Sequence, residues 1–384
     1  MIDFTFNNPI RFYFGKDSLP NLSKELLKAN AKKVLLVFGS NSLKASGNYD
    51  KITANLQGND IEWFDFGGNS QPSLERIEEG IEFCKANDIQ AVIGIGGATC
   101  IDMAKVIGYG VKNDNVWDKL SKTTFVEDYE SLIVGAIPTY PSGGSEADNS
   151  AEVDHLAIRE HGTLLGLYPD FSILSPEFSY TLNEKNTALG AMVTYIQVSV
   201  NYLGNNSSPI AEGFIETLLK VLVESTERLI ESGNDYDARA NVMWASSMST
   251  FGLLSSGKNN GWAFQIYSDI EILRKWLDIP YRQAILTLFP NWLVQKAHNH
   301  EPDVYKYFDN TLLDESKTRG LGETIIGGSE ELKRLFNRFD IETVIKVDNK
   351  AQKLEELETI LKETDFDFDE RVNYSKIFAA CIEE

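Results

Sequence analysis

Residues 91–105, AVIGIGGATCIDMAK, run from an apolar stretch through glycines into a helix-like segment, and few architectures accommodate that succession. The run Ala91–Ile95 is short and does not alternate with polar residues. It therefore reads as a strand buried on both faces, which requires other layers above and below it. Gly94, Gly96 and Gly97 free the backbone for a sharp turn and for close approach of a ligand. Thr99 is expected at the N-cap of the following helix, with Asp102 three residues on in a near capping box. The first helical amides and the helix dipole then favour an anion in the turn, and a pyrophosphate is the natural candidate. The alternative is a turn whose glycines serve packing alone. The stretch is not a GxGxxG fingerprint, because Thr99 stands where the third glycine belongs, and no GxxxxGK[ST] loop occurs.

The same pattern recurs. KVLLVFG (33–39) and LIVGAIP (132–138) are further apolar runs ending in Gly or Pro. Between strands, Leu74, Ile77, Ile81 and Cys84 fall at three- and four-residue spacings, which predicts an amphipathic helix. The alternation predicts an α/β fold with a doubly wound, mostly parallel sheet. A second loop, IPTYPSGGSEAD (137–148), follows a strand and offers Thr139, Ser142, Gly143, Gly144 and Ser145 at the sheet edge where such folds bind ligands. Beyond about residue 180, long helical segments replace the strands: 211–232, 238–257 and 350–364. The 384 residues are too many for one ordinary core. The expected organisation is an α/β domain over 1–180 and an all-α domain over 181–384.

A formal net charge of −21 argues against nucleic acid or an anionic membrane as partner. Cys84, Cys100 and Cys381 are widely spaced and form no CxxC, which fits a reducing, cytoplasmic setting. The N-terminal stretch lacks the pattern of a signal peptide, and no run of eighteen apolar residues predicts a membrane helix.

Several colinear stretches carry a family resemblance: FNNPIRFYFGKDSLPNL, GIGGATCIDMAK, IPTYPSGGSE, PDFSILSPEFSYTL and YDARANVMWASSMSTFGLLSSG. Together they resemble the iron-containing alcohol dehydrogenases, most of all the butanol dehydrogenase-like branch, with Ala98 and Thr99 replacing Gly and Ser of a GGGSxxDxxK signature. The resemblance implies the dehydroquinate synthase-like architecture, a homodimer, and NAD(P)H in a cleft between the two domains. It also implies aldehyde reduction or alcohol oxidation assisted by a divalent ion on one Asp and three His. By position, Gly96, Gly97, Ala98, Thr99 and Asp102 would line the pyrophosphate and nicotinamide side, with Thr139 and Ser142 nearby. Gly39, Ser40 and Ser42 would approach the adenosine ribose. Members preferring NAD tend to carry Asp where Ser40 stands, so the resemblance favours NADP over NAD, with Lys44 available to a 2′-phosphate.

The family's ligand positions fall on Val193, Gln197, Gln265 and Tyr281, so the metal is expected to be absent. The position of its catalytic His falls on Asp269, and His161 lies near the place of its cofactor-side Lys. Valine has no donor atom, and amide oxygens are weak ligands for zinc or ferrous iron. His298 and His300 diverge at i and i+2 and are expected on a solvated helix end. Asp269 and Tyr281 are the candidate proton donors. The alternative is that they fill space, with Tyr195, Gln197 and Gln265, in a hydrogen-bonded cluster. Two functions follow: an oxidoreductase of the family's class, or a metal-free NAD(P)H-binding protein without turnover.

Overall fold

A computed structural model describes residues 1–141, 143–312, 320–363 and 373–384. The chain divides into two compact units. One comprises Asn7–Asn183 and Glu227–Gly252, the other Met1–Phe6, Glu184–Thr226 and Leu253–Glu384.

The first unit is built from β1 (Arg11–Phe14), α1 (Pro20–Lys28), β2 (Lys33–Phe38), α2 (Ser42–Ala45), α3 (Asn48–Gln57), β3 (Glu62–Phe66) and α4 (Leu74–Asn87). It continues with β4 (Ala91–Gly96), α5 (Ala98–Gly110), α6 (Val116–Leu120), β5 (Ile133–Pro138), β6 (Ser150–His155), β7 (Glu160–Leu165) and β8 (Phe171–Leu174). Six strands form one sheet in the order β1-β8-β5-β4-β2-β3, every pair parallel, and β6 and β7 form a separate antiparallel hairpin. Alternation along β2 shows why both sheet faces need cover. Leu35 and Val37 pack with Ile77, Ile81, Met103 and Ile107 of α4 and α5. Val34 and Leu36 pack on the other face with Leu22, Leu26, Ile52 and Leu56 of α1 and α3. Each such side chain contributes about 1.5–3 kcal/mol by leaving water, so the apolar runs alone commit the chain to a doubly wound sheet. The reversal of strand order falls between β2 and β4, and there the carboxyl ends of these strands open a crevice.

The second unit holds α7 (Glu184–Tyr202), most of α8 (Pro209–Glu231), α10 (Gly261–Leu277), α11 (Tyr281–Thr311), α12 (Leu321–Arg338), α13 (Lys350–Glu363) and α14 (Tyr374–Ala379). It also contains a two-residue parallel pair of β9 (Ile345–Lys346) and β10 (Ile382–Glu383), so it is not wholly helical. The chain passes from one unit to the other at 183/184, and the division is not a single cut. The helix α9 (Tyr236–Thr250) belongs to the α/β unit. Its hydroxyls explain why: Ser246, Ser247 and Thr250 bind the 143–146 loop of that unit.

α11 consists of two helical segments that meet in a kink at His300, whose φ of −128° and ψ of 33° are not helical, so the exposed His298 and the half-buried His300 stand at the end of the first segment. Pro302, which lacks an N–H and crowds the preceding turn, accounts for the kink. The His300 ring stacks on Trp262, with centroids 4.1 Å apart. No helix among the described residues is long and apolar enough to cross a membrane.

Candidate active site: a dinucleotide cradle and a filled polar core

The carboxyl end of β4 forms the cradle. Gly96 has φ +144°, which L side chains rarely adopt. Gly97 is extended (φ −93°, ψ −170°) and caps α5, which begins at Ala98. The helix thus starts one residue before Thr99, which lies inside the first turn instead of capping it. Gly97 has no side chain to satisfy the first N–H groups of α5, and they are left for an anion. Ala98 is exposed and Thr99 half-buried.

Two further loops meet this turn. The Thr139 N–H donates to the Gly96 carbonyl at 2.9 Å, which ties the second loop to the first. Phe38 and Ile95 are register partners, so Gly39 leaves the sheet beside Gly96. Ser40, Ser42 and Lys44 are exposed after β2. The Lys44 ammonium pairs with Asp65 at 2.8 Å, and Asp65 also accepts from the Tyr49 hydroxyl at 2.8 Å. Burial and the Asn69 amide, which donates to the carbonyls of Phe38 and Phe66 at 2.9 and 2.6 Å, hold the exits of β2 and β3 together. Ser142 lies outside the described residues.

Asp102 turns away from the cradle's mouth. Its carboxylate accepts from the Ser145 hydroxyl and from the Glu152 N–H, and Lys105 stands 3.7 Å away. The Lys105 side chain is fully buried and donates to Asp148 at 2.6 Å and to the Ser150 carbonyl at 2.7 Å. Burial pushes the Asp102 carboxyl up from the ordinary carboxylate range, and the Lys105 ammonium opposes that rise. One buried cation thus serves two carboxylates, and the group braces the second loop against α5. Glu146, next in that loop, accepts from the Ser247 hydroxyl of α9 at 2.6 Å. The sequence pointed to Asp102 but not to Lys105, Asp148 or Ser247. Lys105, one turn after Asp102 on the same helix, was the available signal; α9 lies a hundred residues away and gave none.

In the helical unit, Gln265 and Asp269 share one face of α10, and that face packs against α11. Asp269 is 1% exposed and accepts from the Trp292 indole N–H at 2.7 Å. Burial raises its carboxyl to about 6, opposed by the nearby Lys296 ammonium and the Trp292 bond. Gln265 accepts from Lys296 at 2.7 Å. Val193 is fully buried on α7, Gln197 nearly so, and Tyr281 is the half-buried first residue of α11. Tyr195 is buried and meets Phe336 edge-on. His161 pairs with Asp154 at 2.9 Å on the β6–β7 hairpin.

These donors do not fit a divalent ion. Val193 offers no lone pair, and the Gln265 amide oxygen already faces an ammonium, whose charge would repel a second cation. Among the described residues no group of three or more His, Cys, Asp or Glu side chains is placed to hold a metal. The cradle, by contrast, fits a pyrophosphate: a positive-φ glycine, an uncapped helix start and a strand crevice coincide.

An all-parallel doubly wound sheet with a glycine turn at its reversal point, followed by a helical unit, is an α/β architecture of the kind that binds ligands at the carboxyl ends of its strands. The family model of iron-containing alcohol dehydrogenases matches residues 9–176. The NADH-dependent butanol dehydrogenase B of Clostridium acetobutylicum is 33% identical, over 80% of this chain and 79% of that protein. Butanol dehydrogenase A of the same organism is 32% identical over 76% and 75%. The crystal structure of NADH-dependent butanol dehydrogenase A from Thermotoga maritima matches the fold with a TM-score of 0.89 at 24% identity, covering 100% of this chain and 99% of that one. The chain belongs to the iron-containing alcohol dehydrogenase family, in its butanol dehydrogenase-like branch.

Proposed function

We propose that this chain is a nicotinamide-dependent alcohol–aldehyde oxidoreductase that works without a metal at the family's position. The observation that carries the reading is the intact β4–α5 cradle at the strand-order reversal, joined to the second loop through Thr139 and Gly96. Gly96, Gly97, Ala98 and Thr99 would hold the pyrophosphate through backbone N–H groups. Thr139 and, by the resemblance alone, Ser142 would flank it. Gly39, Ser40 and Ser42 would meet the adenosine ribose. A nicotinamide bound there would supply or accept a hydride.

The remaining chemistry is a proton at the substrate oxygen. Tyr281 is the side chain we assign to that step, because it brings a half-buried hydroxyl to the first turn of α11, at one of the positions where the resemblance places a metal ligand. Asp269 acts from behind, holding Trp292 and facing Lys296, and is a positioning residue in this account. Asp102 likewise positions the second loop. NADP(H) is the preferred dinucleotide on the strength of Ser40 and Lys44, and the substrates are small alcohols or aldehydes. The three cysteines are buried free thiols, which supports the cytoplasm as its location, and a homodimer is the proposed assembly.

The test is NADPH and NADH oxidation with butanal and related aldehydes, in wild type and Tyr281→Phe. In the variant kcat is expected to fall about 100-fold or more, with dinucleotide Kd unchanged. Equal kcat in both proteins would remove Tyr281 from the mechanism. A second reading, dinucleotide binding without turnover, is favoured by one observation: Gln265 and Asp269 are engaged with Lys296 and Trp292 inside the helical unit. Tight NADPH binding with no oxidation by any aldehyde would establish that reading.

A further inference from the structure

The positions where the family carries two histidines, Gln265 and Asp269, form half of a four-residue ladder. α10 and α11 run antiparallel, and residues four apart on each helix face each other as two rungs: Asp269 with Trp292, and Gln265 with Lys296. Lys296 is 1% exposed. Its ammonium donates to Gln265 at 2.7 Å and to the Tyr374 hydroxyl at 3.2 Å, and it lies 5.5 and 5.3 Å from the ring centres of Trp292 and Tyr374. A lysine is seldom buried this deeply without charged or π-electron partners to replace its hydration. Here the partners include an amide oxygen, a phenol and two aromatic faces, and the Asp269 carboxylate, one helical turn along, feels the ammonium's charge.

We propose that the Lys296 ammonium is a built-in cation that takes the place of the family's metal ion, balancing Asp269 and excluding a divalent ion from this part of the helical unit. The inference rests on the metal-free reading above and adds the group responsible for it. An amide suits an ammonium as partner where an imidazole suits a metal, because the amide oxygen accepts without competing for the proton. A carboxylate suits the neighbouring place because it returns the core to neutrality. The replacement of two histidines and the burial of one lysine are then a single change in how the same core is neutralised.

Two measurements on the full-length protein separate the inference from the reading it rests on. The first strips the protein with chelator, adds Co(II), and records visible absorption together with metal content after desalting. Wild type is expected to show no cobalt ligand-field band and to retain no ion. A band at stoichiometric cobalt would overturn the metal-free reading and the inference with it.

The second is a thermal-unfolding cycle of Lys296→Met, Asp269→Asn and the double variant at neutral pH. Loss of the ammonium alone is expected to lower Tm by about 5 °C or more, because it strands a buried carboxylate. The double variant is expected to recover much of that loss, which a purely packing role for Lys296 would not produce. Should Lys296→Met fail to accumulate as folded protein, the double variant is still expected to fold. Additive losses, or no folded double variant, with no cobalt uptake in wild type, would overturn the inference and leave the metal-free reading standing.

Discussion

At the scale of single residues, Asp269 ties stability to pH. Its carboxyl is raised from 3.8 to about 6 by burial, against the pull of Lys296 and Trp292. The folded state therefore binds this proton more tightly than the unfolded chain does. Its contribution is fully favourable below about pH 4 and is lost as pH rises through about 6. The difference in Tm between wild type and Asp269→Asn should thus shrink from pH 4 to 6 and then level off. A difference that grows over this window would mean that Lys296 dominates and the carboxyl is depressed. Lys44 sets a second prediction. Its pair with Asp65 is solvent-exposed, so it is weak and easily exchanged for a ligand's phosphate. Asp65→Asn should raise the NADPH-over-NADH preference up to about fivefold, measured as a ratio of kcat/KM, and Lys44→Ala should lower it. No change in either variant would remove this pair from dinucleotide selection.

At the scale of elements, the second loop is held from both sides, by Asp102 through Ser145 and by α9 through Ser247, Ser246 and Thr250. Gly144 sits where the approach is tightest: it has φ +68°, and an added Cβ would lie 2.4 Å from the Ser246 carbonyl oxygen. Gly144→Ala should destabilise the α/β unit by about 1–3 kcal/mol and weaken dinucleotide binding, read by NADPH fluorescence titration. Unchanged affinity would show that the loop does not shape the site. The strands and the α4 and α5 helices were legible in the sequence because apolar runs and three-to-four spacing report burial directly. The cap of α5 was misplaced at Thr99 because side-chain preference pointed there, while the backbone freedom of Gly97 decided the start. The α9 clamp was illegible, since three hydroxyls on a long helix look like ordinary surface residues until the loop they bind is placed beside them. Lys296 was missed for a related reason: fifteen residues beyond Tyr281, it gives no local sign that it is buried.

For the molecule as a whole, the two units are braced in different ways. In the α/β unit the buried Lys105 beneath the β4–α5 turn joins Asp102 and Asp148. In the helical unit Gln265 and Asp269 are hydrogen-bonded to Lys296 and Trp292. Metal-free turnover is the central feature of the proposed function. The direct measurement is the initial rate of NADPH and NADH oxidation by butanal in chelator-stripped protein, with metal content determined in the same aliquots. The expected rate is unchanged by stripping and does not rise with added Fe(II) or Zn(II). A rate that falls on stripping and returns in proportion to the ion restored would contradict metal-free turnover.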